Sequence, residues 1–110
     1  MKPIITFPDL EKLDIRVGTI VSATLPEWSE KLIQLEVDFG SEIGKKTIFS
    51  GVKAFFTPEE LQGKQSLFLV NLAPRKMGPA MSEGMIMMAD DDTPVLLSPF
   101  RPVADGSVVR

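Results

Sequence analysis

Every second residue between positions 32 and 39 is apolar. The apolar set is Ile33, Leu35, Val37 and Phe39, and the residues between them are Gln34, Glu36 and Asp38. Side chains alternate between the two faces of a β-strand, so a period of two places one set on each face. The segment Leu32–Phe39 is therefore predicted to be a half-buried strand whose apolar face lies on a core.

Five further segments are short, rich in apolar or β-branched residues, and bounded by turn-forming residues. They predict strands over Asp14–Leu25, Lys46–Ser50, Ser66–Leu72, Met85–Ala89 and Val95–Leu97. Gly18 is predicted to mark a bend in the longest strand, because glycine within a strand of a small barrel often accompanies a bulge or corner. Turns are predicted at Gly40-Ser41 and Gly78-Pro79. The chain is therefore predicted to be all-β.

One helix is predicted between the third and fourth strands. Thr57 can cap it, Pro58 suits the first helical position, and Glu60 stands where a capping box requires an acid. Gly63 leaves room for only one or two turns. A second helical turn is predicted over residues 6–12. A short helix between the third and fourth strands of a five-stranded barrel is the arrangement of the OB-fold.

The composition indicates a single globular domain over residues 1–110, with 44% hydrophobic and 25% charged residues. No apolar run reaches the roughly 18 residues that would span a bilayer, so we expect no membrane association and a cytoplasmic location. The chain has no Cys and no His. This excludes disulfides, Cys/His zinc sites, thiol nucleophiles and the usual general base. We therefore expect no enzyme activity and no cofactor.

The acidic run Asp90-Asp91-Asp92 is the one feature that suggests a metal. It lacks the alternating ligands, the glycine and the distal glutamate of a calcium loop. We interpret it as a solvated turn and expect no metal site.

The charge distribution is uneven. The net charge of −3 argues against a broad electrostatic grip on nucleic acid. Between Ile43 and Pro79, however, six Lys or Arg residues face only two Glu, a net of 6 − 2 = +4. This predicts a local cationic face on an acidic protein, which suits a selective ligand of modest affinity.

Three motifs carry a resemblance to a known family. They are Asp14-Ile15-Arg16-Val17-Gly18-Thr19-Ile20, then Ser50-Gly51-Val52 followed by Thr57-Pro58-Glu59-Glu60-Leu61, and finally the stretch from Asn71 through Arg75-Lys76 to Ser82-Glu83-Gly84-Met85. In this order and spacing they closely resemble the tRNA-binding OB-fold domain of methionyl-tRNA synthetase C-termini, free-standing tRNA-binding proteins and secretion chaperones. The resemblance covers roughly Phe7 to Val108. It implies a five-stranded OB-fold barrel with short capping helices, N- and C-terminal extensions, and non-catalytic tRNA binding.

The resemblance also points to individual RNA contacts. OB-folds bind along strands 2 and 3, between the loops that here are approximately residues 26–31 and 71–84. Carrying the family's pattern onto this chain gives Lys31, Asn71, Arg75, Lys76, Ser82 and Met85, and Ser50 is expected to line the same face. Lys and Arg neutralise phosphates, Asn and Ser reach base edges or 2′-hydroxyls, and Met can lie against a base. The alternative for Arg75-Lys76 is a solvated pair of loop charges.

The first loop departs from the family because it carries Glu27-Trp28-Ser29-Glu30 before Lys31. Two carboxylates would weaken a phosphate contact at Lys31 by repulsion. Trp28 can compensate by stacking an unpaired base, or it seals the open end of the barrel.

A chaperone or protein-interaction module is the alternative function. It is supported by the acidic charge, by five of the six Met residues lying between Met77 and Met88, and by the likeness of residues 38–44 and 96–99 to the secretion chaperones. In that case an unfolded polypeptide is the partner. For the tRNA-binding function, an aminoacyl-tRNA synthetase is a further candidate partner.

The two ends of the chain predict a homodimer. The resembled free-standing proteins and chaperones are dimers, and pairing two barrels would lengthen a cationic track. Both ends place apolar residues in segments too rich in Pro for a central strand: Ile4, Ile5 and Phe7 at one end and Phe100 and Val103 at the other. The alternative is that both arms fold back over their own barrel.

Overall fold

The computed structural model describes residues 1–110 and is built mainly from strands. The strands are Ile15–Thr24 (β1), Ile33–Asp38 (β2), Lys45–Ser50 (β3), Gln65–Leu69 (β4), Arg75–Met77 (β5), Ala80–Ser82 (β6), Met85–Ile86 (β7), Met88–Asp90 (β8), Pro94–Leu96 (β9) and Val108–Val109 (β10). Three four-residue helices cover Phe7–Leu10 (α1), Gly40–Ile43 (α2) and Pro58–Leu61 (α3). None of them is long and apolar enough to cross a bilayer.

The main sheet has the antiparallel order β3-β2-β1-β4-β7, and β10 pairs with the start of β1. The first half of β1 pairs with β4 and its second half with β2, so this one long strand joins both sides of the barrel. β3 contacts β7 and nearly closes the ring. Two ribbons, β5-β6 and β8-β9, lie outside the main sheet. The predicted five-stranded all-β barrel is confirmed.

The core contains the apolar face predicted from the alternation of β2. Ile33, Leu35 and Val37 are fully buried, and the residues between them are only partly exposed. Ile20, Ile48, Leu61 and Phe68 come from the surrounding elements to pack on this face. The rings of Phe39 and Phe68 meet edge to face, with centroids 5.3 Å apart. Such a pair contributes about 0.5–1.5 kcal/mol beyond the area it buries.

Gly18 has a different role from the predicted one. A Cβ atom here would lie 2.6 Å from Val37 Cγ1 and 2.7 Å from the Phe39 ring, so glycine is needed for the close approach of these core side chains. The irregularity in β1 lies between Ile20 and Ser22, where the register with β2 shifts. The predicted bend at Gly18 was therefore misplaced by a few residues.

The predicted cap of α3 is confirmed. The Thr57 hydroxyl accepts a hydrogen bond from the Glu60 N–H, and the Glu60 carboxylate accepts one from the Thr57 N–H. The turn predicted at Gly40-Ser41 was wrong, because this segment forms α2. Gly40 begins α2 at a φ of 86°, where an added Cβ would lie 2.7 Å from the Asp105 carbonyl oxygen. A contact with the distant C-terminal segment therefore shapes this element.

The C-terminal arm folds back along β1. The Val17 N–H donates to the Ser107 carbonyl at 2.9 Å, and the Gly106 N–H donates to the Val17 carbonyl at 2.7 Å. The Arg16 guanidinium also donates to the Gly106 carbonyl at 3.1 Å and to Asp14 at 2.6 Å. The hydrogen bond to Asp14 raises the pKa of Arg16, and its bonds to Asp14 and Gly106 make Arg16 part of the scaffold.

Candidate nucleic-acid interface

The segment predicted as the loop of residues 71–84 contains the β5-β6 hairpin. Arg75 pairs with Ser82, Lys76 with Met81, and Met77 with Ala80. Gly78 takes a φ of 57° in the tight turn, a conformation that glycine adopts without a steric penalty. The cations predicted to bind RNA therefore lie on a paired ribbon, which is more rigid than an open loop.

The hairpin separates the two adjacent cations. Successive side chains of a strand point to opposite faces, so Arg75 shares a face with Ser82, and Lys76 shares the other face with Met81. Both cations are exposed, and neither forms an ion pair. The pairing therefore allows two phosphate contacts on different sides of the ribbon.

Ser82 fixes the hairpin to the barrel. Its side chain is only 3% exposed, accepts the Phe49 N–H at 3.0 Å and donates to the Gly84 carbonyl at 3.1 Å. The next residue, Glu83, adds a backbone hydrogen bond to Thr47 at 2.8 Å and accepts the Thr47 N–H at 3.0 Å through its carboxylate. Ser82 thus uses its hydroxyl twice inside the protein and is positioned to orient the hairpin.

Trp28 joins the β1–β2 loop to the tip of the hairpin. Its ring centroid lies 5.5 Å from that of Phe49, and a Cβ atom on Gly78 would lie 2.6 Å from the ring. The residue is still 41% exposed. Trp28 therefore packs against the hairpin tip and β3. This position resembles the predicted sealing role more than the predicted stacking role, and part of the side chain remains open to solvent.

Lys31 is held next to Lys53, a residue that the sequence placed in the cationic stretch but not among the RNA contacts. The Lys53 N–H donates to the Lys31 carbonyl at 3.2 Å, and the Ser29 hydroxyl accepts the N–H groups of Lys31 and Leu32 at 3.2 and 3.1 Å. Neither lysine has a carboxylate within ion-pair distance. Trp28 contacts the hairpin tip, and Phe49 of β3 bonds to Ser82. The segments that carry Lys31, Lys53, Arg75 and Lys76 therefore lie at one end of the barrel, which we call the cationic end.

The predicted cationic face over residues 43–79 is not one surface. Lys45 lies opposite Asp38 in the register of β2 and β3. It begins β3 and Ser50 ends it, so the two residues are about 17 Å apart at 3.3 Å per residue. Lys64 lies in another pocket beside Arg101 and Thr19. Lys46 lies 3.8 Å from the Glu83 carboxylate. Of the predicted set, Lys53, Arg75 and Lys76 contribute to the cationic end.

Ser50 and Met85 lie on one surface groove. Val52, Met87, Met88 and Pro94 also line it, and Met85 remains exposed at its rim. Asn71 lies elsewhere, near the start of β1. Its side-chain amide donates to the Lys12 carbonyl at 2.7 Å and accepts the Asp14 N–H at 2.9 Å. The predicted contacts thus divide into the cationic end, the neighbouring groove and an isolated Asn71.

The two apolar arms occupy different places along β1. Phe7 lines a groove with Leu10, Leu13, Ile15 and Val108, and Ile4 and Ile5 are exposed. Phe100 is fully exposed and lies beside Thr19. Thr19 is four residues after Ile15 on β1, so the two positions are about 13 Å apart. Val103 is tied to the barrel, because its carbonyl and N–H both bond to the Gln65 amide at 2.7 and 3.1 Å. The predicted interface residues therefore form two separate patches.

Comparison with known sequences identifies relatives over nearly the whole chain. The chain is 45% identical to the methionine–tRNA ligase of Parabacteroides distasonis over 99% of its length. It is 44% identical to that of Methanococcoides burtonii, also over 99%. The chain spans only 16% of the length of these two enzymes.

Two solved structures share the fold along the complete chain. A MetRS related protein from Pyrococcus horikoshii superposes with a TM-score of 0.91 at 32% identity, covering 99% of this chain and 100% of that one. The chaperone CsaA from Bacillus anthracis superposes with a TM-score of 0.88 at 30% identity, covering 98% and 100%. Residues 15–108, from the start of β1 to β10, match the family described as "Putative tRNA binding domain". The resemblance drawn from the three motifs is thus confirmed, and the chain belongs to this tRNA-binding domain family.

Proposed function

We propose that the chain is a non-catalytic module that binds tRNA through the cationic end of the barrel. The observation that supports this most strongly is the convergence of unpaired cations from two loops, Lys31 from one and Arg75 and Lys76 from the other, at one end of the barrel. Side chains of this kind neutralise phosphates, and each such contact releases counterions from the RNA. A tRNA ligand also implies a cytoplasmic location.

The geometry supports a separate role for each side chain of the interface. Arg75 and Lys76 contact phosphates on either side of the hairpin, and Lys31 contacts a third phosphate from the neighbouring loop. Ser50 and Met85 offer a hydroxyl and an adaptable apolar side chain along the adjoining groove. The exposed part of Trp28 lies between the two loops and can cover a sugar or base.

Two of the predicted contacts are assigned indirect roles. Ser82 positions the hairpin, because its hydroxyl is buried and bonded to Phe49 and Gly84. Asn71 holds the start of β1 through Lys12 and Asp14, and its exposed edge is free to reach a more distant part of the ligand. Substituting either residue would therefore alter the shape of the interface before it removed a direct contact.

A titration of tRNA against alternative ligands tests this function. Fluorescence anisotropy would be measured with labelled tRNA, a DNA duplex of matched length and a permanently unfolded polypeptide, at the same low salt concentration. We expect tRNA to bind in preference to the duplex. Binding of the polypeptide without binding of tRNA would replace this proposal with the chaperone alternative, for which the groove at Met85 is the candidate surface.

We also propose a homodimer through the N-terminal patch of Ile4, Ile5, Phe7 and the groove beside it, with Phe100 and Val103 as a second contact region. Exposed apolar clusters of this kind usually mark an interface. Light scattering at micromolar concentration should give twice the chain mass, and Phe7→Ser should lower it. A monomeric mass that is unchanged by Phe7→Ser and by Phe100→Ser would exclude the dimer. A synthetase remains a further candidate partner of the same module.

A further inference from the structure

Four aromatic side chains of the chain are exposed: Phe7, Trp28, Phe55 and Phe100. Phe7 and Phe100 lie on the two arms, and Trp28 packs against the hairpin. Phe55 is 49% exposed and has no role in the interface described so far. A single exposed apolar ring is common on protein surfaces, so what it does depends on the groups around it.

The backbone around Phe55 is fixed. The N–H groups of Phe55 and Phe56 both donate to the Val52 carbonyl, at 2.9 and 3.1 Å. Val52 belongs to the buried core, and Phe56 packs against that core from the same turn. The turn is thus anchored on one side while the Phe55 ring is presented on the other. Ordering such a side chain on binding costs little entropy, because an aromatic ring has only two rotatable bonds.

Two lysines that form no ion pair lie on the backbone next to this turn. Lys53 is two residues before Phe55 in the same turn, and its N–H donates to the Lys31 carbonyl at 3.2 Å. No carboxylate lies within ion-pair distance of either lysine. An aromatic ring flanked by free cations on a rigid backbone is the combination that binds single-stranded nucleic acid, since bases stack on the ring while the cations hold the phosphates.

We propose that Phe55 is a stacking platform for an unpaired RNA base, with Lys31 and Lys53 holding the phosphates next to that base. This inference rests on the proposed RNA-binding function and deepens it, because it names an unpaired nucleotide, in a loop or at a strand end, as part of the ligand. A protein-docking role fits the position less well, since a single exposed ring does not form the contiguous apolar patch that partner proteins cover.

The test compares two RNA ligands and three variants. The ligands are a stem-loop with an unpaired loop and a blunt RNA duplex of the same charge, both measured by anisotropy at one salt concentration. Phe55→Leu removes the ring and keeps an apolar side chain, whereas Phe55→Tyr keeps the ring. Val21→Thr is the control, because it changes another exposed apolar side chain that lies outside the described patches.

We expect Phe55→Leu to weaken stem-loop binding by about 5- to 150-fold, the range that the loss of one base–aromatic stack produces. Duplex binding should change less than twofold, and Phe55→Tyr and Val21→Thr should bind the stem-loop as the wild type does. Circular dichroism checks that each variant is folded, and Phe55→Tyr keeps the test decisive if the leucine variant is unstable.

The two proposals fail in different ways. If the wild type binds the stem-loop and Phe55→Leu binds it equally well, the stacking platform is wrong and the proposed function stands. An equal loss on the duplex, or an equal loss in Val21→Thr, would also overturn the platform. If the wild type binds neither RNA, both the function and the platform are wrong.

Discussion

Replacing Gly78 by alanine would test the contact that brings the two loops of the interface together. The added Cβ would lie 2.6 Å from Trp28 Cε3 and 2.7 Å from Cζ3. Carbon atoms in favourable contact are about 3.5–4.0 Å apart, so the ring or the hairpin tip must move by about 1 Å. Residue 78 also has a φ of 57°, where alanine costs about 1–2 kcal/mol relative to glycine.

The expected result is a displaced tip and a more exposed Trp28. Trp28 is the only tryptophan of the chain, so its fluorescence emission should shift to longer wavelength without interference from other residues. tRNA affinity should fall several-fold, because the cations of the hairpin move away from Lys31. If about 1 kcal/mol of the cost reaches global stability, the Tm should drop by about 4–8 °C.

Gly63→Ala is the matched control. Gly63 has a φ of 85°, and a Cβ atom there would meet nothing within 4 Å. It therefore carries a backbone cost of the same kind without a collision with Trp28. Two results would refute the idea that the Trp28 contact positions the hairpin. One is that Trp28 emission and tRNA affinity are unchanged in Gly78→Ala. The other is that they change equally in Gly63→Ala.

Four further substitutions separate binding from stability. Arg75→Ala and Lys76→Ala should each weaken tRNA binding, and together they should lower the affinity by several tenfold steps at most. The circular dichroism spectrum should not change, because exposed cations add little stability. A double variant that binds tRNA with wild-type affinity would show that the site lies elsewhere. Thr57→Ala should cost about 1 kcal/mol by removing the cap of α3, seen as a lower urea midpoint at unchanged tRNA affinity. Gly18→Ala should destabilise the barrel by about 1–3 kcal/mol through overcrowding at Val37 and Phe39, and a wild-type urea midpoint would contradict that packing.

The barrel could be predicted because its main signal is local. The alternation over β2 needs only the sequence spacing, and Thr57, Pro58 and Glu60 mark the start of α3 within four residues. The start of α2 is different, since Gly40 takes its conformation against Asp105, far along the chain. No pattern near residue 40 reports that contact, so this segment was predicted as a turn.

The site was predicted less completely than the fold. The residues from Arg75 to Ser82 carry Gly, Pro and charges, which are typical of a loop, whereas the ribbon they form is held by the buried bond from Phe49 to Ser82. A loop has no strand alternation, so the opposite orientation of Arg75 and Lys76 could not be predicted. Lys53 was predicted only as part of the cationic stretch, and Phe55 gave no sequence signal, because their positions follow from the backbone bonds to Lys31 and Val52.

The salt dependence of tRNA binding tests the cationic end most directly. With about three to five phosphate contacts, log K should fall against log salt with a slope of roughly −2 to −4, since each contact contributes about 0.7–0.9. Removing Lys31, Arg75 or Lys76 singly should make the slope shallower by about that amount, while Lys64→Ala, in a different pocket, should leave it unchanged. A slope near zero, or one that responds to Lys64 and not to the other three, would contradict the assignment of the site.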